Sequence, residues 1–310
     1  KRKLEKLGVE TSLLGYGCMR FPMTADGKID EAEAEKLLDT ALAAGINYID
    51  TAWPYHNGES EPFVGKVLSK YPRDSYFPLK EDGTIDEVQA EAMIERAINA
   101  GINYIDTAYP YHKGESEPFL GRALKKYPRN SFYLATKLPV WLVKSLDEVD
   151  TYLEKQLERL RTDHIDFYLM HSLDKEDWDR MVEMGTVKRL EELKAEGKIR
   201  YLGFSFHDKY EVFEEILNYR DWDFCQIQLN YMDTDIQAGL KGYELTAKKN
   251  IPLVIMEPVK GGTLASFSED LEEEFHKLDR KASVASYALR WVGSLPNVKV
   301  ILSGMSSMEQ

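Results

Sequence analysis

Residues 21–76 and 77–132 of this 310-residue chain are one sequence written twice, with 35 identities in 56 aligned positions and no gap. Whatever the chain folds into must accept the same local structure at two successive places. Each copy reads as a helix, a strand and a second helix. In copy one, Asp30 with Glu33 forms an N-terminal capping pair, Leu37, Leu38, Ala41 and Leu42 make an apolar stripe at helical spacing, and Gly45 stops the helix. Copy two repeats this with Asp86 and Gln89, then Met93, Ile94, Ala97 and Ile98, then Gly101. INYID is the strand of both copies, and SEPFxGxxLxKYP the helix that follows. The centre of the repeat, NYIDTAxPYHxGESE, is the most chemically specific motif in the chain. It occurs with Asp50 and Tyr55 in copy one and with Asp106 and Tyr111 in copy two.

The flanking sequence keeps the same rhythm. KLEKLGVETSLLGYGCMRFP reads as a short hairpin feeding a strand over 14–20. After the repeat, FYLATKL is a strand, and Ser145 to Arg161 is a helix with Ser145 and Glu148 as its capping box. Strands IDFYLMH, IRYLGFSF, FCQIQLN, PLVIMEPV and VKVILSG then alternate with helices VKRLEELKAEG, YEVFEEILNY, GYELTAKK and ASVASYALRWVG. Short apolar strands alternating with amphipathic helices predict parallel β/α units. An open doubly wound sheet alternates too, but no GxGxxG turn follows an early strand. Without one copy the chain has 254 residues, close to the ~250 of an eight-unit barrel. The expected fold is therefore α/β: a (β/α)8 TIM barrel spanning 1–310 as a single domain, with an N-terminal hairpin and one extra α-β-α copy.

Charge and cysteine usage narrow the function classes. A net charge of −13 argues against a nucleic-acid partner, which calls for a basic face. The two cysteines, Cys18 and Cys225, suit a reducing compartment and supply neither a disulfide framework nor a metal cluster. No apolar run approaches the ~18 residues of a membrane span. With no signal-type segment at its start, a cytoplasmic protein is expected.

In a β/α barrel, chemistry sits at the C-terminal ends of the strands. Those ends carry Asp106 and, after it, Tyr111; Lys137 in YLATK; and His171 in FYLMH. Singly, each has an ordinary reading. A strand-end Asp often caps a helix, a strand Lys often snorkels, His171 fits a hydrogen-bonded core histidine, and Tyr111 is one of 18 tyrosines. Together on three successive strands they form a chemical set. A tyrosine with a pKa of about 10 is a poor acid at neutral pH. A neighbouring lysine cation lowers that value, and Asp106 would hold the ammonium. Tyr111 would then protonate a carbonyl oxygen while His171 orients it, and the hydride would come from a nicotinamide.

In order along the chain, the hairpin start, GYGCMR, DTAxxY, GxSE, ATK, LMH, GFS, QIQLN, MEPVKGG and ILSGMSSMEQ resemble the aldo-keto reductase superfamily. The resemblance implies that Asp106, Tyr111, Lys137 and His171 fall on the family's catalytic tetrad. It places Ser205 and Gln226 on positions that hold the nicotinamide carboxamide, and Met19 and Arg20 beside the cofactor. Gly304, Ser306 and Gln310 fall in the segment lining its phosphate and adenosine end. The implied cofactor is NADP, with NAD the second choice, and the implied partner is a small-molecule carbonyl substrate. Met256-Glu257 stands where many members carry Tyr-Ser, so Met256 replaces the aromatic ring that usually stacks on the nicotinamide. MEPVKGG and GFSFH resemble a subgroup that often carries a C-terminal iron–sulfur extension, which two cysteines cannot supply. The resemblance stops at Gln310, ahead of the Glu/Asn-bearing stretch and final helix of the family, which predicts weak cofactor binding.

Copy two runs directly into YLATK, so Asp106, Tyr111 and Lys137 keep the family spacing, whereas copy one runs into SYFPLKED. Three arrangements follow: strand 14–20 with copy one looped out, SYFPL as a substitute first strand, or ten strands in a wider ring. The eight-strand options are favoured, because a wider ring would disturb the side-chain layers that fill the interior. A non-catalytic cofactor-binding or regulatory barrel is the alternative function. A Schiff-base lyase using Lys137 is the third, and pairing with Asp106 disfavours it by keeping the lysine protonated.

Overall fold

The computed structural model describes residues 2–4, 9–11, 16–17, 21–24, 28–43, 49–50, 60, 63, 78–80, 83–265, 267, 269–280 and 282–304. In chain order the elements begin with β1 (Arg2–Leu4), β2 (Val9–Thr11), β3 (Tyr16–Gly17), α1 (Glu31–Ala43) and β4 (Ile49–Asp50). Next come α2 (Glu87–Asn99), β5 (Tyr104–Asp106), α3 (Ser116–Ala123), β6 (Tyr133–Leu138), α4 (Leu146–Leu160) and β7 (Ile165–Leu173). The pair α5 (Lys175–Met184) and α6 (Thr186–Ala195) precedes β8 (Ile199–Phe206), α7 (Tyr210–Tyr219), β9 (Cys225–Gln228), α8 (Gly239–Lys249) and β10 (Leu253–Met256). The series closes with α9 (Glu269–Leu278), α10 (Val284–Gly293) and β11 (Val298–Ile301). Two compact units result, one of residues 1–74 with 266–284, the other of 75–265 with 285–310.

In the first unit β1 and β2 form the expected antiparallel hairpin, with Lys3 opposite Glu10. β3 and β4 pair in parallel, Tyr16 opposite Ile49 and Gly17 opposite Asp50, so copy one's strand lies in a two-stranded sheet. The Glu33 backbone N–H donates to Asp30 Oδ1 at 3.2 Å, which forms the capping contact expected of α1. The proposed stop at Gly45 lies outside the described residues, as do Cys18, Tyr55 and most of the strand expected over 14–20.

The second unit holds seven parallel strands in sequential order, from β5 of copy two to β11. This is the (β/α)8 barrel fold, seven of whose strands are among the described residues. Strand side chains alternate between two layers, as period-two geometry requires. Leu134, Leu138, Tyr168, Met170, Leu202, Phe204, Ile227 and Ile255 face the helices in one large apolar core. The alternate positions, Ala135, Leu169, Phe224 and Val254 with Tyr104 and Phe167 against them, fill the interior. Gly203 belongs to that inner row, where a Cβ would sit 2.7 Å from the Phe224 ring and carbonyl, so only glycine leaves the ring room. The next inner positions toward the strand ends carry Asp106, Lys137, His171, Ser205 and Gln226.

Two local expectations are corrected. Ser145 makes no side-chain capping bond at the start of α4; Glu148 instead accepts the Lys144 backbone N–H at 2.7 Å, shifting that half of the box one residue upstream. A helix not anticipated from the sequence, α5, precedes α6 and is separated from it by Gly185 at φ 82°. Its first turn is capped by Asp174, whose carboxylate accepts the Asp177 N–H at 2.8 Å.

Candidate active site

β5 and β6 pair with Asp106 opposite Ala135, which puts Lys137 one inner position further along. The Lys137 side chain is fully buried. Its ammonium donates to Asp106 Oδ2 at 2.8 Å and to the Thr107 carbonyl at 2.7 Å. A lysine has three such protons, and the ammonium also lies 4.9 Å from the centre of the Tyr111 ring. Burial pushes the Asp106 carboxyl up from its usual range while the Lys137 cation pulls it back down.

The turn that presents Tyr111 is strained. His112 (φ 54°), Lys113 (φ 57°) and Gly114 (φ 90°) are all left-handed, a region that disfavours residues with a Cβ other than Asn or Asp. Across the mouth, β7 carries His171 two residues before its end, its ring 6.0 Å from Tyr111 and 5.0 Å from Trp141 between centres. Burial, then the charges of Lys137 and His207, hold His171 well below its ordinary value. These effects favour the neutral imidazole, and Nδ1 is buried without a hydrogen-bond partner.

The remaining inner positions form a polar wall. Ser205 and Gln226 lie opposite each other on β8 and β9 and are nearly fully buried. The Ser205 hydroxyl oxygen accepts the Ser172 N–H at 2.7 Å. Gln226 donates its amide N–H to Met256 Sδ at 3.4 Å, and its Oε1 is buried with no partner. Beyond them Asp233, almost fully buried, accepts from Gln228 at 3.0 Å, from Asn230 at 3.1 Å and from the Lys260 ammonium at 2.6 Å. Those bonds, Lys260 first, hold its carboxyl below the usual range.

Asp106, Tyr111, Lys137, His171, Ser205, Gln226 and Met256 thus line one end of the barrel. Gly304 lies just past β11 and is exposed. Met19, Arg20, Ser306 and Gln310 lie outside the described residues. Three participants are not anticipated from the sequence. The Thr107 carbonyl is a backbone group, which no residue type announces. Trp141 follows Lys137 by four residues, and only its place after a strand end marks it. His207 sits two residues past Ser205, and that i+2 spacing is a readable signal.

The model of the Aldo/keto reductase family matches residues 13–79 and again 77–310. The chain belongs to the aldo/keto reductase family. This makes it an NAD(P)H-dependent oxidoreductase, and both repeat copies fall within matched segments. Among relatives, the oxidoreductase YqkF of Bacillus subtilis is 29% identical over 100% of this chain and 88% of its own length. The NADH-specific methylglyoxal reductase of Escherichia coli is 28% identical over 74% of this chain and 82% of its own. Among solved structures, the holo form of aldo-keto reductase AKR11C1 from Bacillus halodurans has a TM-score of 0.60 at 27% identity, covering 76% of this chain and 83% of that one. Among the described residues of this aldo-keto reductase, no group of three or more His, Cys, Asp or Glu side chains could hold a metal ion. None of their helices is long and apolar enough to cross a membrane.

Proposed function

We propose that this aldo-keto reductase reduces small aldehydes or ketones to alcohols, with Tyr111 as general acid and Lys137, Asp106 and His171 completing the catalytic set. The observation that carries the reading is the Lys137 ammonium, fully buried between Asp106 at 2.8 Å and the Tyr111 ring at 4.9 Å. A cation so placed favours the phenolate and makes the phenol a stronger acid. Asp106 offsets the cost of burying that cation. Neutral His171 can donate a ring N–H to a carbonyl oxygen without adding a second charge beside Lys137.

The polar wall fits a nicotinamide carboxamide. Gln226 Oε1 is a buried acceptor with no partner, and Ser205, opposite it, can donate its hydroxyl proton. Ser205 and Gln226 would hold the carboxamide, with Met256 beside them. Gly304, just past β11, would line the phosphate and adenosine end of the cofactor site. When bound, the reduced nicotinamide supplies the hydride. Tyr111 supplies the proton, and His171 with Trp141 borders the carbonyl.

NADPH is the first choice of cofactor. The name of the E. coli relative specifies NADH and methylglyoxal, so the test uses both cofactors and begins with that aldehyde. Fluorescence titration with NADPH and NADH should show saturable binding, and a carbonyl panel should show cofactor oxidation dependent on Tyr111. Binding without turnover across the panel would favour a non-catalytic cofactor-binding barrel.

A further inference from the structure

Behind Lys137, on the helix side of the barrel wall, lies a polar network that the proposed chemistry does not use. Its centre is Glu117, a carboxylate with no exposed surface. Glu117 Oε1 accepts from the Thr136 hydroxyl at 2.7 Å and from Gln156 Nε2 at 2.6 Å, while Arg159 donates to Oε2 at 3.2 Å. Gln156, also fully buried, donates from Nε2 to the Lys137 carbonyl at 3.0 Å and accepts the Tyr168 hydroxyl on Oε1 at 2.7 Å. Burial pushes the Tyr168 phenol well above its ordinary value, so it stays a donor.

The neighbouring residue extends the same network to the other strand. The Ser116 and Thr107 hydroxyls lie 2.8 Å apart, and Thr107 is the residue whose carbonyl accepts a hydrogen bond from the Lys137 ammonium. The first two residues of α3 therefore tie β6, which carries Lys137, through the lysine's backbone, and the end of β5 through the lysine's ammonium. Gly121 on the same helix fixes the distance to α4, since a Cβ there would sit 2.2 Å from the Arg159 carbonyl.

A buried carboxylate is a costly way to hold a helix on a sheet, because apolar side chains of similar volume do so at least as well. What it adds is geometric definition. From its bonds we infer that Glu117, acting through Gln156 and Thr136, is a positioning residue that fixes where the Lys137 ammonium stands relative to the Tyr111 phenol. The inference rests on the proposed roles of Lys137 and Tyr111. Copy one repeats the Ser-Glu pair as Ser60-Glu61 but is followed by SYFPLKED, without counterparts of Thr136 and Lys137.

The test compares Gln156→Leu and Glu117→Gln with Leu153→Ala, a buried apolar change on the same helix outside the network. Lys137 is read without cofactor or substrate, by acetic anhydride labelling followed by peptide mass spectrometry. In Gln156→Leu its labelling should accelerate at least ~10-fold, as a freed lysine exposes its amine. The alkaline limb of kcat should move up by about one pH unit as the ammonium leaves the phenol, with KM changed less than about twofold. Glu117→Gln, which keeps an acceptor oxygen, should move both readouts in the same direction by less, and it carries the test if Gln156→Leu does not fold. Leu153→Ala should lower Tm and leave labelling and pH profile at parental values. If the network variants lower Tm while labelling and profile stay parental, the positioning role is overturned and the network is structural. If the parent reduces no carbonyl, the proposed function fails, and the labelling still decides whether Glu117 positions Lys137.

Discussion

The Lys137 ammonium stands 4.9 Å from the centre of the Tyr111 ring, although 25 residues, the whole of α3 among them, lie between the two in sequence. Copy one presents Tyr55 in nearly the same local sequence but has no lysine at the corresponding place downstream. Tyr111→Phe should lose at least ~100-fold in turnover, the low end for removing a general acid, and Tyr55→Phe should change little. Measuring both variants on one aldehyde checks this. A dead Tyr55→Phe enzyme would mean that copy one serves the site.

Lys137→Met should abolish reduction and leave the barrel folded by circular dichroism, since methionine approximates the volume of the lysine stem. The variant also strips Asp106 of the cation that holds its carboxyl down, leaving burial to raise it further. A folded-state carboxyl raised above its unfolded value binds protons that the unfolded chain does not. Stability then falls as pH rises through the window from about 4 upward. The variant should therefore lose more Tm between pH 5 and pH 7 than the parent does, a comparison that thermal melts provide.

Protonation of His171 is opposed by burial and by the charges of Lys137 and His207. Between its depressed folded value and the unfolded value of about 6.5, only the unfolded chain takes up the proton, so stability falls as pH is lowered through that range. Replacing the ring by a neutral amide in His171→Gln removes this term. The drop in Tm from pH 7.5 to pH 5.5 should be smaller in the variant than in the parent. An equal drop would mean that His171 titrates normally.

The presenting turn offers a stability test. Lys113 is exposed and left-handed at φ 57°, and copy one has Asn57 at the matching position. Asparagine tolerates this conformation better, so Lys113→Asn should raise stability by about 0.5 kcal/mol. Urea melts should show a higher midpoint with an unchanged slope.

The barrel and most of its site are legible in the sequence for one physical reason. Strands buried on both faces still alternate, and the inner row ends in polar residues at Asp106, Lys137, His171, Ser205 and Gln226. Where burial is sparse the signal fades. In α5 only Trp178 and Met181 are buried, and the charged residues around them hide the helical period. Contacts made by backbone atoms, such as the Thr107 carbonyl on Lys137, depend on register and carry no residue signature. The Ser145 capping box does not form: Ser145 makes no capping bond, and Glu148 reaches the Lys144 amide instead.

The turns that lead into α1 and α2 are built alike. Met23 bridges Ile29 as Leu79 bridges Ile85. Asp30 and Asp86 each donate a backbone N–H at 2.8 Å, to Pro22 and Pro78 respectively. The molecule thereby contains its own reference compound. In a nuclear magnetic resonance spectrum, amides of 28–34 and 84–90 form matched pairs in which the local backbone geometry largely cancels. Any difference in chemical shift or exchange rate within a pair then reports the altered side chains and the surroundings of each copy.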